Sequence, residues 1–491
     1  MKVENNINNN IPFKGPLDNG LTIALRTLDT NPMANAVGID LVSMVAPRTY
    51  VDTKERNKYA GAETFFREFT GTLIVCLSAS YFAKGIAKIT NKIINPENNI
   101  NTNSWFSNDT LAFLEEASKD TKTNKEYVEN IFNSLPEKTN IEWVDEKKWT
   151  KYKWDNPKYN NIQNKIKSKE EIINNIVEII DNKSITNRDR KQLTNIIELR
   201  LTSLLKSDTV NAKINDKTLS TSLHNLLRDI IDMGRDVLSK QNKKEFINKI
   251  YKINRVKSIG ALALASTLGL TNQYINRKIT EKRTGTKGFV GDVDYKNNIE
   301  NKKNSNDKSA SFILKKVAAS IGMFLMATAV MKIKSPSDFI KKLEFTGPVT
   351  SGNAIKTVYA ATLIGRFLAS QNNDELRETV TRDYLGFLNW LVLGGFAAKG
   401  VANLLDTKRE SLFNETKNSK KGLKHWLNDV SIKSHNEIAV QGKDFAKKNM
   451  WKRNVSQIAG LAYSTIALGI LLPKLNIWIT QKKSKKLDKN V

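Results

Sequence analysis

The sequence is poor in the residues that build redox and metal centres. It holds one cysteine, Cys76, and three histidines, His224, His425 and His435, among 491 residues. A single thiol excludes an intrachain disulfide framework, a cysteine zinc ribbon and an iron–sulfur site, and three scattered imidazoles leave little for a histidine metal centre. Gly285, Gly288 and Gly291 are spaced G-x-x-G-x-x-G, but a phosphate loop calls for a preceding strand and a following Lys-Ser/Thr, and the sequence offers neither. The stretch 181–192, DNKSITNRDRKQ, has the outline of a calcium loop, yet Lys183 falls at a ligand position and Gln192 stands where a bidentate glutamate is needed. No Ser/His/Asp or Cys/His grouping emerges from spacing. The expectation is therefore a protein that is not an enzyme, with no cofactor and no metal. Residues 1–12, MKVENNINNNIP, carry no apolar run with a small-residue cleavage site, so no cleaved signal peptide is expected.

What the sequence has in excess is positive charge, 78 Lys+Arg against 50 Asp+Glu, for a formal net charge of +28. Such an excess points to an anionic partner, nucleic acid or membrane lipid, and its placement separates the two. Residues 96–245 carry 25 basic and 24 acidic side chains, close to neutrality. The rest of the chain holds 53 basic and 26 acidic residues, together with every long apolar run. That association favours anionic membrane lipids as partner and disfavours nucleic acid.

The apolar runs are 69–83, 259–270, 317–331, 354–369, 384–398 and 458–472, with a weaker one at 36–46 that carries Asp40. Small and apolar residues occupy every helical face in turn, which is the pattern of helices buried all round rather than of a stripe facing one core. The six main runs have 12 to 16 residues each, short of the ~20 that a membrane span needs. Flanking basic residues extend them, because a Lys or Arg stem can lie along an apolar slab while its head reaches water. The expected location is a membrane, integral or tightly associated. Basic flanks on both sides of nearly every run leave the orientation unread. The competing reading is a soluble helical interaction protein whose apolar helices pack as hairpins.

The chain also resembles itself. Residues 63–87 align without gaps to 378–402, with nine of 25 positions identical, in the pattern E-T-x-x-R-acidic-aromatic-x-G-x-L and then A-K-G-aliphatic-A. Upstream, Asn35-Ala36 and Arg48 recur as Asn353-Ala354 and Arg366, and Phe13-x-Gly15-Pro16 recurs as Phe345-x-Gly347-Pro348. Residues 251–283 match 451–483 at an offset of 200, sharing Asn254, Gly260, Gly269 and Asn276 with Asn454, Gly460, Gly469 and Asn476. The fold class expected is all-α, with two related three-helix apolar units of which the first contains an inserted amphipathic helical domain.

The boundaries that follow are a polar N-terminus at 1–12 and the first part of copy one at 13–95. The inserted domain occupies 96–245, and the third helix of copy one 246–283. A polar linker at 284–311 and an unpaired apolar helix at 312–342 precede copy two at 343–483 and a basic tail at 484–491. If the unpaired helix crosses the membrane once, the two copies share an orientation; if it does not, they are inverted. Glu63 and Arg67, like Glu378 and Arg382, are four residues apart, which places each pair on one helix face. With Lys84 and Lys399 these are the polar candidates shared by both copies. They would serve as a gate or ion-pair latch, with a plain helical salt bridge as the simpler alternative. Gly71, Gly386, Gly85 and Gly400 suit close helix approach. In the inserted domain Trp143, Trp149 and Trp154 interleave with lysines, which suits a small helical core, and a contact role for a protein partner is expected there.

Overall fold

The computed structural model describes residues 20–488 except 31, 95–105, 136–168, 206, 240–241, 286–308, 337, 340–351, 419–421, 440 and 442. The N-terminal stretch 1–12, both Phe-x-Gly-Pro motifs, the three tryptophans 143, 149 and 154 and most of the 284–311 linker lie outside the described residues. The chain is mostly helical. The first stretch is α1 (Gly20–Thr30), α2 (Pro32–Ile39), a π-helical turn at Asp40–Val45 and α3 (Ala46–Glu55). The second is α4 (Lys58–Leu73), a π turn at Ile74–Ser78 and α5 (Ala79–Ile94).

Residues 106–238 then form a separate layer of α6 (Asn108–Ala117), α7 (Asn124–Asn133), α8 (Lys169–Asp181), α9 (Asn187–Leu205), β1 (Thr209–Ile214), β2 (Lys217–Ser222) and α10 (Leu223–Asp232). The chain returns through the 42-residue α11 (Lys243–Thr284), α12 (Ala310–Val330) and α13 (Gly352–Ala369). It ends with α14 (Asn373–Leu388), a π turn at Asn389–Leu393, α15 (Gly394–Leu405), the short α16 (Leu423–Asn428) and α17 (His435–Ala439), α18 (Lys443–Ser464), a π turn at Thr465–Leu471 and α19 (Leu472–Asp488).

Side-chain contacts fix the direction of each stretch. At the end away from the inserted domain, Arg277 near the end of α11 donates to the Ala369 carbonyl, while Lys316 at the start of α12 reaches the Leu368 carbonyl at 3.0 Å. At the end facing the inserted domain, the Asp208 backbone N–H donates to Glu437 at 3.1 Å and the His435 N–H to Asp29 at 2.9 Å. The stretches 32–55, 243–284, 352–369 and 443–488 therefore run away from the inserted domain, and 58–94, 310–330 and 373–405 run toward it. The unpaired α12 crosses the bundle once, and corresponding helices of the two aligned segments point the same way.

Local geometry repeats at the same alignment offset. Asn57 caps α4 by accepting from the Ala60 N–H at 2.8 Å, and Asn372, 315 positions on, caps α14 by accepting from the Glu375 N–H at 2.8 Å. An Asn side chain in extended backbone satisfies one of the orphan N–H groups of a helix start. The π turns at Ile74–Ser78 and Asn389–Leu393 fall at the same offset. Packing is reciprocal as well. Gly269 of α11 lies against Thr362 of α13, and Gly469 lies against Ser43 and Pro47 of the first stretch.

Residues 106–238 are mostly helical, as expected, and carry one short β-hairpin besides. Val210, Ala212 and Leu219 are buried on a two-stranded antiparallel hairpin that pairs Thr209 with Ser222 and Ile214 with Lys217. Its two-residue turn places Asn215 at φ 53, a left-handed conformation that Asn tolerates. The alternation of polar residues with Val210, Ala212 and Ile214 in TVNAKI is the signal that helical periodicity obscured. Ser107 caps α6, its hydroxyl accepting from the Thr110 N–H at 3.0 Å. Leu223, Leu226, Leu227, Ile230 and Ile231 of α10 face the aliphatics of α8 in one core that also takes Phe246, Ile247, Ile250 and Ile253. Those four belong to α11, which begins in this domain before it enters the bundle, so the third helix is longer than the sequence match at 251–283.

Asp229 and Asp232 of α10 are buried in this layer. Burial pushes the Asp232 carboxyl up to about 7, with Arg190 opposing, and the Asp229 carboxyl up to about 6, with Arg228 opposing. A carboxyl raised on folding holds its proton longer in the folded state, so its stabilising contribution is complete below about pH 4 and is lost as pH rises through 6 to 7. Amide exchange of α10 should therefore speed up, after correction for intrinsic chemistry, between pH 5 and pH 8. Asp232→Asn should flatten that slope, and an unchanged slope would show that the carboxyl is ionised throughout.

Candidate functional site: a buried arginine–carboxylate cluster

Four helical stretches meet around a set of charges that the bundle hides from solvent. Glu68 of α4 is the centre. Its carboxylate lies 3.5 Å from Arg48 Nη1, 3.3 Å from Arg67 Nε and 3.1 Å from Arg366 Nη2. Asp383 of α14, at the aligned position 315 residues later, lies 3.3 Å from Arg366 Nη1 and 2.9 Å from Arg382 Nε. Glu68 and Asp383 are 5% and 1% exposed, Arg48 and Arg366 2% and 4%. Burial of this depth is tolerated only because each carboxylate is multiply paired; a lone charge there would cost several kcal/mol.

Glycines make the crossing possible. A side chain at Gly71 would meet Arg366 Nη2 at 3.4 Å, and one at Gly386, its aligned counterpart, would meet Arg48 Nη2 at 3.5 Å. Each arginine thus passes over a glycine of the other segment, as helix faces with small residues permit. Gly85 and Gly400 do not serve that purpose, since nothing lies within 4 Å of either. Around the centre, Thr72 donates to Asp40, Thr64 donates to Asp52 at 2.5 Å, and Arg56 donates from Nη2 to Glu378 at 2.6 Å. Arg48 also anchors the last helix, donating from Nε to the Leu468 carbonyl at 3.0 Å. Asn476 donates to the Glu378 carbonyl at 3.1 Å.

The expected i,i+4 bridges are not how these side chains pair. Arg67 turns to Glu68 and Thr64, Arg382 turns to Asp383, and Glu378 takes Arg56 from the other segment. Arg67 and Arg382 each pair with the carboxylate next to them on their own helix, while Arg48, Arg56 and Arg366 reach across the helix interface to buried carboxylates. Glu63, Arg67, Glu378 and Arg382 do come together, lining one cavity of about 30 Å³ with Arg48, Asp52, Arg56 and Asn476. Lys84 and Lys399 lie elsewhere. Lys84 is exposed, with its ammonium 5.8 Å from the Tyr81 ring centroid, and Lys399 donates to the Trp426 carbonyl and stacks on that indole at 4.5 Å. The residues that sequence reasoning passed over are Glu68, Asp383, Arg48 and Arg366. Their signal was the Arg-acidic pair inside the repeated pattern and the recurrence of Arg48 as Arg366.

The bundle presents aliphatic side chains on its outer surface and buries polar ones beside its apolar core. On α11, Asn254, Lys257, Asn272, Gln273, Asn276 and Arg277 are buried while Val256, Ile259, Leu264, Leu268, Leu270 and Ile275 are exposed. The exposed apolar span from Val256 to Ile275 covers ~29 Å at 1.5 Å per residue. Among the described residues, no large hydrophobic side chain between 106 and 253 is classed as exposed, whereas all seven long stretches carry them. At the end away from the inserted domain, cations sit on aromatic rings in Lys54–Tyr50, Lys58–Tyr59, Lys278–Tyr274, Lys316–Phe312 and Lys482–Trp478. Three helices, Lys58–Ile94, Ala310–Val330 and Asp444–Ile479, are long and apolar enough to cross a membrane.

No protein-family model matches the chain, and no curated protein or solved structure matches it. The functional reading rests on its own geometry.

Proposed function

We propose that the chain is an integral membrane protein built from two copies of a three-helix unit in the same orientation, joined through α12, with a water-facing domain inserted in the first copy. Its role in this reading is that of a transporter-like or scaffolding protein rather than an enzyme, and the cluster around Glu68 and Asp383 latches the two copies together. The observation that carries it is the apolar outer face of α11, exposed over a depth close to the ~30 Å of a bilayer's hydrocarbon core, on a bundle that keeps its charge cluster inside. Intramembrane charges of this kind face the bundle interior and pair with one another. The aromatic–cation pairs at one end match a headgroup interface, where amphipathic rings and snorkelling lysines settle. Anionic lipids are the partners that the surplus of basic residues outside 96–245 would meet, and the inserted domain offers a surface to a protein partner.

The duplication is supported by the paired asparagine caps, the paired π turns and the reciprocal arginine-over-glycine crossings. A rearrangement of one copy against the other has to move Arg366 off Glu68 and Arg48 off the Leu468 carbonyl, so the cluster sets the barrier between arrangements. Carbonate washing should leave the protein in the membrane pellet. After Cys76→Ala, cysteines at Lys58→Cys and Asn373→Cys should label from one side of sealed vesicles and Lys408→Cys from the other. Full release by carbonate, or labelling of all three positions from one side, would overturn the reading.

A further inference from the structure

The first turns of α11, where the inserted domain meets the bundle, are strongly basic. Residues 243–257 carry six basic side chains against one acid, Glu245. Glu245 bridges to Lys249 at 2.9 Å, and Lys257 is buried near the Asp229 carboxyl. Lys252 and Arg255 are exposed and, among the described residues, form no salt bridge. Three residues apart, they share one face of the helix. With Tyr251, Val256, Ile259 and Gly260 they line a groove of about 550 Å³, and none of its described lining residues is a carboxylate. The groove changes character along its length. Because α11 runs away from the inserted domain, the two cations stand at the end near that domain and Val256, Ile259 and Gly260 lie deeper. Val256 also opens the exposed apolar face that continues to Ile275. At the deep end α5 packs close, since a β-carbon at Gly260 would stand 2.9 Å from Ile86 Cδ1.

We propose that this groove holds one anionic phospholipid of the leaflet nearest the inserted domain, its phosphate between Lys252 and Arg255 and its acyl chains along Val256 and Ile259. A guanidinium grips phosphate oxygens through two parallel donors, and an ammonium beside it adds a point charge. Exposed cations bordering an apolar face fit a partner that is anionic at one end and aliphatic directly next to it. A phospholipid meets both demands, whereas free phosphate meets only the first. The rise from Lys252 to Ile259 is ~10 Å at 1.5 Å per residue, which sets the cations at headgroup level where Val256 marks the start of the hydrocarbon. The site belongs to the first copy alone. At the offset of 200, Trp451 and Lys452 stand for Tyr251 and Lys252, but Val455 takes the place of Arg255. Gly460, the counterpart of Gly260, is covered by Gly394 and Ala398. The inference rests on the membrane reading for the surroundings of the groove, and it names a site that the reading itself does not require.

The test uses the full-length protein in a neutral detergent, loaded with dioleoylphosphatidylglycerol or dioleoylphosphatidylcholine at equal lipid-to-protein ratio, with bound lipids counted by native mass spectrometry. One phosphatidylglycerol should be retained well above phosphatidylcholine. Lys252→Ala combined with Arg255→Ala should weaken that binding roughly thirtyfold, the effect of two basic side chains at a membrane surface. Lys452→Ala should leave it unchanged. Glycerol phosphate should not displace the lipid, because it has no chain to lie on Val256 and Ile259. Equal retention of the two lipids by the unaltered chain overturns the proposal, as does displacement by glycerol phosphate or an undiminished preference in the folded double variant. If the double variant does not fold, the first two measurements still decide. Carbonate washing reports on the membrane reading separately. A protein that stays in the pellet but shows no lipid preference loses only the site; one that carbonate releases, yet retains one phosphatidylglycerol, keeps the site and loses the membrane reading.

Discussion

Replacing Glu68 with glutamine is expected to destabilise the protein by roughly 3–5 kcal/mol, the range measured when one partner of a buried ion pair is removed. Three guanidinium groups lie within 3.5 Å of that carboxylate, and glutamine removes the charge that balances them while adding two donors of its own. Glu63→Gln removes a carboxylate that forms no ion pair among the described residues, so its effect should stay within about 1 kcal/mol. The difference is measurable as the thermal midpoint of the detergent-purified protein followed by tryptophan fluorescence, where Glu68→Gln should fall by several degrees and Glu63→Gln hardly move. A Glu68→Gln midpoint indistinguishable from that of the unaltered chain would mean that water reaches the cluster and screens it. The double variant Glu68→Gln with Arg366→Met should recover part of the loss, because removing both members of a buried pair costs less than stranding one.

How far this arrangement can be read from the sequence depends on what kind of contact carries it. The helices were legible because six apolar runs mark them, and the self-alignment matches helices two by two, with 115 residues more between its last two matches in the first segment than in the second. The cap at Asn57 lies six residues upstream of the 63–87 match, and its counterpart Asn372 stands at the same offset. The partners of the charges were not legible. Spacing of four residues predicts a bridge along one helix, and it holds for exposed pairs such as Lys249 with Glu245 at 2.9 Å. Inside the bundle the pairing follows the buried carboxylates instead: Arg67 turns to the adjacent Glu68 and to Thr64 on its own helix, and Glu378 takes Arg56 from the other segment. The glycines divide the same way. Gly71 and Gly386 admit a guanidinium, while Gly85 and Gly400, equally regular in the repeat, face open space.

The hairpin at 209–222 was hidden for a third reason. Its strands are six residues each and lie between long amphipathic helices, so a window wide enough to find helices averages them away.

Close helix crossings should give the other large effect, at Gly365. A β-carbon there would stand 2.4 Å from the Leu270 carbonyl oxygen and 2.7 Å from Leu270 Cα. Both are backbone atoms of α11, so no side chain can swing aside and the helices themselves must separate. Gly365→Ala should cost about 1–3 kcal/mol or more by overpacking, although alanine favours a helix over glycine by close to 1 kcal/mol. Gly469→Ala should behave alike, since its β-carbon would stand 2.5 Å from the Ser43 carbonyl oxygen and 2.4 Å from Pro47 Cγ. Gly400→Ala has nothing to meet and should gain the helical preference alone. The sign is what discriminates. If thermal midpoints fall for Gly365→Ala and Gly469→Ala and rise for Gly400→Ala, the third helix of each segment packs against the first helix of the other at backbone distance. If all three rise together, the crossings are looser than described and the two segments are held chiefly by their charges.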